Sequence, residues 1–346
     1  MTAPIRVLVV DDSAFVRKVV TQMLRRSPDL DVVGTARDGE EALELVEQLR
    51  PDVVTLDLVM PRMNGVEFLR EQRRRRPIPV VICSIAHESG EMALEAFDAG
   101  AVELVQKPTA LATDRVYEIA EELVRKVLAA GAAAIHDLPA ELPAPRAASM
   151  EPIGGRVRRC DVVVLGISTG GPQALRRLIP RLPADLPVGL AVVLHMPVGY
   201  TEMYAQRLDA ISALEVREAR EGDELRGGRV LLAPAGLHLS FRRSDGAVVA
   251  HLDDRPTDTQ HRPAVDVLFR SAAETFGARA LGVVMTGMGT DGLLGAAHIK
   301  AQGGRILTEA ESSCVVYGMP RAVAEASLSD RVAGLNEMAG AIVEMI

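Results

Sequence analysis

The chain has 346 residues, more than one ordinary hydrophobic core accommodates, so its length predicts about two domains. Hydrophobic residues make up 48% and charged residues 25%, as in a soluble globular protein, and 3% aromatics without tryptophan predict aliphatic cores. A net charge of −8 argues against a broad nucleic-acid surface, which needs a basic field, and no apolar run reaches the length of a membrane span.

The amino-terminal MTAPIRVLVVDD leads straight into a strand without a signal peptide, and the chain reads as cytosolic. From Ile5 to Leu128 short apolar runs (RVLVV, DVVG, DVVTLDL, PVVICS, VELVQ) alternate with amphipathic ones. That alternation predicts a five-stranded parallel sheet covered by helices on both faces. The run Arg73-Arg74-Arg75-Arg76 before Pro77 predicts the carboxyl end of a helix, where cations suit the dipole. Residues 129–158 are rich in Ala and Pro and read as a semi-extended linker with a short helical start.

A second strand–helix alternation begins at Asp161 with DVVVLGI, PQALRRLI, GLAVVLHM and YTEMYAQRLDAI. A strand-rich insert over 214–252 carries hairpin punctuation at Arg226-Gly227-Gly228 and Ser244-Asp245-Gly246. The alternation resumes with PAVDVLFRSAAETFG, ARALGVVMTG, DGLLGAAHIKAQG and RILTEA, and ends in helices. The prediction is an α/β protein: a domain over 1–128, the linker, and a mainly parallel doubly wound α/β domain over 159–346 with an antiparallel hairpin insert. The three cysteines, Cys83, Cys160 and Cys314, lie far apart without metal-ligand spacing, and a buried reduced thiol is the default for Cys83 and Cys160 in or beside their apolar runs.

Sites in open parallel sheets form at the carboxyl ends of the strands. In the first domain those ends carry Asp11-Asp12, Asp57, Ser84 and Lys107. Clustered carboxylates suit a hard cation such as Mg²⁺, beside which one carboxylate can attack a phosphoryl donor while the lysine and hydroxyl hold the phosphoryl oxygens. Singly, each residue also fits a plainer role, Asp12-Ser13 as a helix N-cap above all. Their joint placement at strand ends carries the prediction.

In the second domain, Gly166-Ile167-Ser168-Thr169-Gly170-Gly171 lies between a strand and a helix. A dinucleotide fingerprint would need glycine at Ser168 and an acidic end to the next strand, which ends in His195 instead; a Walker loop would need Gly-Lys-Ser/Thr. The turn does fit G-x-S-x-G in the strand–turn–helix context of a serine nucleophile, though alone it equally fits a plain glycine turn. Among the seven histidines His195 directly ends a parallel-type strand, and Asp291 follows the strand ALGVVMTG. Serine, base and orienting carboxylate can therefore meet along one sheet edge, in the order Ser…His…Asp. The rival bases are His238, inside the insert and more simply structural, and His261, placed to cap a helix or line the groove.

The segments VLVVDDS, TLDLVMPRMNG, VICS and VQKP resemble the response-regulator receiver domain. GISTGGPQAL, HMPVGYT, EGDELRGGRVLLAPAGLHL, RPAVDVLF and TGMGTDGLLGA resemble the chemotaxis methylesterase (CheB) family, and together the two resemblances cover nearly the whole chain. The first implies Asp57 as phosphoacceptor, with Mg²⁺ held by Asp12, Asp57 and the Val59 backbone carbonyl, and Asp11 acting through water. The second implies Ser168 as nucleophile, His195 as general base then acid, and Asp291 as the orienting group, with no metal in that domain. Thr169 and the Met288 backbone N–H are similar to the family's supports for the base and the oxyanion. Two departures stand out: Val59 where relatives often carry Glu, and Leu104 where receivers usually place an aromatic switch residue.

The implied activity is phosphorylation-activated hydrolysis of glutamate γ-methyl esters on methyl-accepting chemoreceptors, with deamidation of certain glutamines. The implied partners are those receptors and a chemotaxis histidine kinase, and the implied location is cytoplasmic, at membrane receptor arrays but without insertion. Three alternatives stand beside it: a non-catalytic adaptor, a hydrolase acting on another substrate, and a receiver-controlled transcription factor. The last is opposed by the acidic balance and by the absence of a recognition-helix pattern.

Overall fold

The computed structural model describes residues 3–84, 90–107, 113–132 and 159–346, with backbone alone for 113–118. The chain divides into two compact units, Met1–Asp137 and Leu138–Ile346.

In the first unit the alternation is β1 (Ile5–Val10), α1 (Ala14–Leu24), β2 (Leu30–Ala36), α2 (Gly39–Leu49), β3 (Val53–Leu56), α3 (Gly65–Arg75), β4 (Val80–Ser84), α4 (Gly90–Ala99), β5 (Glu103–Gln106) and α5 (Thr113–Gly131). Its parallel sheet has the order β2-β1-β3-β4-β5. Val7 through Val10, Val53, Val54, Leu56 and Val80 through Ile82 are buried, as continuous apolar strands must be when both faces of a sheet are covered. Side-chain caps start three of the helices: Ser13 for α1, Asp38 for α2, and a reciprocal Asn64–Glu67 capping box for α3. Arg73, Arg74 and Arg75 fill the last turn of α3, as their charge and position predict. Helix α5 runs to Gly131, into the first residues of the expected linker; the remainder of that linker, 133–158, lies outside the described residues.

The second unit contains β6 (Val162–Ile167), α6 (Gly171–Leu178), β7 (Gly189–Leu194), α7 (Thr201–Asp209), β8 (Glu215–Glu218), β9 (Arg229–Leu232), β10 (His238–Ser244) and β11 (Ala247–Asp253). These are followed by α8 (Val265–Phe276), β12 (Ala280–Val284), α9 (Leu293–Ala301), β13 (Arg305–Glu309), α10 (Met319–Glu325), β14 (Arg331–Ala333) and α11 (Met338–Met345). Seven strands make one parallel sheet in the order β14-β13-β12-β6-β7-β9-β8.

Two details differ from the sequence reading. Arg226-Gly227-Gly228 does not turn a hairpin, because β8 and β9 are parallel neighbours in the main sheet. The connection between them pairs with the separate hairpin β10–β11 instead: Gly222 and Leu225 donate to Ala250 and Val248, and Ala250 donates to Asp223. Of the two expected hairpin turns, the one at Ser244-Asp245-Gly246 closes an antiparallel pair. The short β14 also joins the sheet edge within a stretch read as helical.

Packing explains where the hairpin sits. Leu239, Phe241 and Ala250 join Leu268, Phe269 and Ala272 of α8 in the buried core, and the Phe241 N–H donates to Ser271 Oγ at 2.7 Å. The order of strands reverses between β6 and β12, and such a reversal opens a crevice at the carboxyl ends. The three candidate catalytic residues follow β6, β7 and β12, adjacent strands at that crevice.

Candidate active site and phosphoacceptor pocket

In the first unit, Asp11 follows β1, Asp57 follows β3, Ser84 ends β4 and Lys107 follows β5, so all four meet at one edge of the sheet. Carboxylate oxygens of Asp11, Asp12 and Asp57 lie within 4.8 Å of one another. Lys107 Nζ bridges two of them, 2.5 Å from Asp11 Oδ2 and 2.8 Å from Asp57 Oδ2. Burial lifts the Asp57 carboxyl above its usual range; the Lys107 ammonium pulls it back and the Asp11 charge adds to the lift. Burial alone would lower the Lys107 ammonium, but Asp57 and Asp11 hold it above its usual range. A cluster of hard oxygen donors, one of them disfavoured by burial in its ionised form, suits a divalent cation, whose charge would favour that ionised form. Val59 is exposed beside Asp57, its N–H 3.5 Å from Asp57 Oδ1, while Leu104 is fully buried and its carbonyl accepts from Lys126 Nζ at 2.7 Å.

In the second unit, glycines make the serine turn possible. Gly170 has φ +79°, a left-handed conformation that other residues enter at a cost, and it starts α6. Ser168 donates its N–H to the Thr286 carbonyl at 2.9 Å and accepts from Gly171 N at 2.6 Å. The loop after β12 comes equally close from the other side: a Cβ on Gly287 would stand 2.8 Å from Ser168 Cβ. The backbone of Gly287 is held by Val316, Gly318 and Met319, which leaves the next residue, Met288, half-buried with an N–H that meets no acceptor among the described residues. Thr169 is buried, and its carbonyl accepts from Thr286 Oγ1 at 2.9 Å.

His195 donates its backbone N–H to the carbonyl of Ile167, the residue before the serine. Its Nε2 lies 2.8 Å from Asp291 Oδ2, and its Nδ1 is buried without a hydrogen-bond partner among the described residues. Asp291 is further fixed by two backbone donors of α8, Val265 N to Oδ2 at 2.8 Å and Asp266 N to Oδ1 at 2.9 Å. Burial would raise the Asp291 carboxyl, but the bond and charge of His195, with those two N–H groups, hold it below the usual range. A carboxylate kept ionised against one imidazole nitrogen, with the other nitrogen unpartnered, is the arrangement that lets an imidazole accept a proton from a neighbouring hydroxyl.

The two rival histidines make different contacts. His238 is buried; its Nδ1 accepts from Ala264 N at 3.1 Å, so Nε2 carries the proton and donates to the Pro256 carbonyl at 3.0 Å. Burial also holds its conjugate acid below the usual range, and its role is to anchor the segment before α8. His261 stacks against His195 with ring centroids 4.0 Å apart.

Three residues around the site escape a sequence reading. Asp266 Oδ1 accepts from Gly292 N at 2.9 Å and Gly295 N at 2.7 Å, capping α9 just as Asp291 caps α8. An acidic residue in the first turn after a proline hints at a cap, but not for which helix. Thr286 joins the Ser168 turn to the 316 segment, and the buried carboxyl of Glu309 accepts from Thr286 N at 2.9 Å. Glu309 at a strand end reads as surface until the fold shows it wholly covered.

Both units have counterparts among known proteins. Residues 7–117 match the response regulator receiver domain and residues 163–342 match CheB methylesterase, which defines a response regulator with an α/β enzymatic output domain. The chain belongs to the CheB methylesterase family. It is 54% identical over 339 residues to the protein-glutamate methylesterase/protein-glutamine glutaminase 5 of Myxococcus xanthus, covering 98% of this chain and 97% of the relative. It is 46% identical over 355 residues to the like-named protein of Symbiobacterium thermophilum, covering 99% and 97%. The crystal structure of the Thermotoga maritima CheB methylesterase catalytic domain matches 54% of this chain and 99% of that one, with 40% identity and a TM-score of 0.53.

Proposed function

We propose that the protein is a phosphorylation-activated protein-glutamate methylesterase and glutaminase, removing γ-methyl esters from glutamates of chemoreceptors during adaptation. The observation that carries this reading is the Asp291–His195 pair at the serine edge, with Nδ1 left without a partner among the described residues. Ser168 attacks the ester carbonyl while His195 Nδ1 takes its proton, and the Asp291 carboxylate stabilises the imidazolium that forms. The Met288 N–H donates to the oxyanion, a contribution of roughly 3 kcal/mol per donor in other serine hydrolases. Collapse expels methanol, protonated by His195, and water then releases the glutamate from Ser168 by the same base. Deamidation follows the same course with ammonia leaving. Thr169 supports the base from the buried side of the turn.

The receiver, residues 1–128, takes a phosphoryl group on Asp57 from a histidine kinase and is tied by 129–158 to the catalytic unit, 159–346. Asp12, Asp57 and the Val59 carbonyl would hold Mg²⁺, with Asp11 acting through water; bound there, the cation screens the charge of the incoming phosphoryl group. Ser84 and Lys107 engage the transferred oxygens. With Val59 and Leu104 at positions where relatives and receivers differ, the lifetime and transmission of the phosphoryl signal are this chain's own. In this reading the protein works as a cytoplasmic enzyme recruited to receptor arrays. No helix among the described residues is long and apolar enough to cross a membrane. The test is methanol release from methylated receptor membranes with and without a small phosphodonor. Release that rises with the donor is expected; no release in either condition would leave an adaptor, or a hydrolase of another substrate.

A further inference from the structure

Asp291 holds only one corner of the His195 imidazole, the Nε2 vertex. A ring attached at Cβ and pinned at one nitrogen can still rock, because the torsion about an sp³–sp² bond has a broad well. Among the described residues Nδ1 has no hydrogen-bond partner to stop that motion. What lies against the ring is a second imidazole: the rings of His195 and His261 stand 4.0 Å apart at an interplanar angle of 24°. The His195 side chain is 7% exposed, so this face-to-face contact is part of a closed environment.

His261 is itself held from both sides. Its neighbour Arg262 accepts from Gly236 N at 2.9 Å, and Ala264 donates to the buried His238, whose Nε2 reaches back to Pro256 at 3.0 Å. The segment then enters α8, whose first two N–H groups fix Asp291. One connection, from β11 to α8, thus delivers the stacking ring and the donors that orient the carboxylate. The ring against His195 and the N–H groups that hold Asp291 are carried by one continuous stretch of chain.

From this geometry we infer that His261 is a positioning residue for the general base: its ring fixes the plane of the His195 imidazole and keeps Nδ1 aimed toward Ser168. The role is that of a flat surface, and it needs neither nitrogen of His261. It rests on the proposed esterase chemistry of Ser168 and His195, and the controls below separate the two.

The experiment compares wild type, His261→Ala and His261→Phe as full-length proteins, reading kcat and KM for methanol release and the melting temperature of each. A misplaced base costs turnover more than substrate binding, so His261→Ala should lose about tenfold in kcat with KM changed less than about twofold. His261→Phe restores a flat ring without nitrogen and should return to within about threefold of wild type. Wild-type turnover in a folded His261→Ala protein overturns the inference. Equal loss in the Phe and Ala variants also overturns it, since the nitrogen would then be what matters. Should His261→Ala fail to fold, His261→Asn is read by the same criteria. If wild type releases no methanol, the esterase reading has failed, and the stack is judged by the rate at which a fluorophosphonate labels Ser168, with the same ordering of variants expected.

Discussion

The two units solve one problem, presenting carboxylates at the carboxyl edge of a parallel sheet, in opposite ways. In the receiver three carboxylates are crowded within 4.8 Å and one lysine stands between two of them, so the pocket holds more negative charge than its own cation balances. In the catalytic unit each of two carboxylates is wired separately: Asp291 to two backbone N–H groups and His195, Asp266 to two N–H groups of the neighbouring helix. The first arrangement invites a cation and an electrophilic phosphoryl group. The second spends its charge on orienting an imidazole. The same fold layer yields either chemistry according to whether the donors around the carboxylate are mobile ions or fixed amides.

The largest effects should fall cleanly on one unit or the other. Ser168→Ala should lower esterase turnover by on the order of 10⁴–10⁶, as triad members act as a unit in other serine hydrolases. It should leave Mg²⁺-dependent labelling of Asp57 by a small phosphodonor untouched. Asp57→Asn should lose that labelling, and with it the donor-driven rise in esterase rate, while keeping the basal rate. Labelling of the Asp57→Asn protein, or substantial turnover by the Ser168→Ala protein, would break the assignment of one chemistry to each edge.

How much of this is legible in sequence follows the same division. The receiver carboxylates, Lys107, Ser168 and His195 stand at the ends of apolar strand runs, and Asp291 lies in the loop that follows one, all places a linear reading can find. Asp266, Thr286 and the His261 stack act through partners far away in sequence, and Glu309 reaches the serine turn through the distant Thr286, which no local pattern encodes. The misread turn at Arg226-Gly227-Gly228 has the same origin. Its glycines signal a turn, but the residues before it pair with β11, and only tertiary contact shows that β8 and β9 run parallel.

A middle-sized effect tests whether the fixed amides matter. Asp266→Ala removes the acceptor for Gly292 N and Gly295 N, so the loop carrying Asp291 loses one of its ties to α8 and is left with the Val265 and Asp266 N–H bonds to Asp291 itself. Lost capping should cost about 1 kcal/mol of stability. The displaced carboxylate should cost about tenfold or more in kcat, since small misplacements are expensive in a reacting site. Asp266→Asn keeps an acceptor oxygen and should recover most of both. If the Ala variant melts lower yet turns over normally, Asp266 caps a helix and does nothing for the triad.

The smallest effect concerns Glu309, a carboxyl with neither of the two solutions. It is fully buried and accepts from Thr286 N and Ser313 Oγ, with no cation paired to it among the described residues, and burial raises it above the usual range despite those bonds and one from Cys314. A carboxyl raised in the folded state binds its proton more tightly there than in the unfolded chain. Between its unfolded value, about 4.3, and its higher folded value, the unfolded state therefore carries fewer protons, and stability falls as pH rises, by up to about 1.4 kcal/mol per pH unit crossed. Glu309→Gln cannot ionise. Its oxygen can keep the Thr286 bond while its amide donates to Ser313 Oγ, whose proton remains available to the Ala310 carbonyl at 3.2 Å and whose oxygen already accepts from Leu335 N at 3.0 Å. Melting curves at pH 5 and pH 8 should show the Gln variant gaining on wild type at the higher pH, with esterase activity retained because the support of Thr286 survives. A gap between the two proteins that does not change with pH would mean that Glu309 does not titrate in that window and that its burial is compensated by its hydrogen bonds alone.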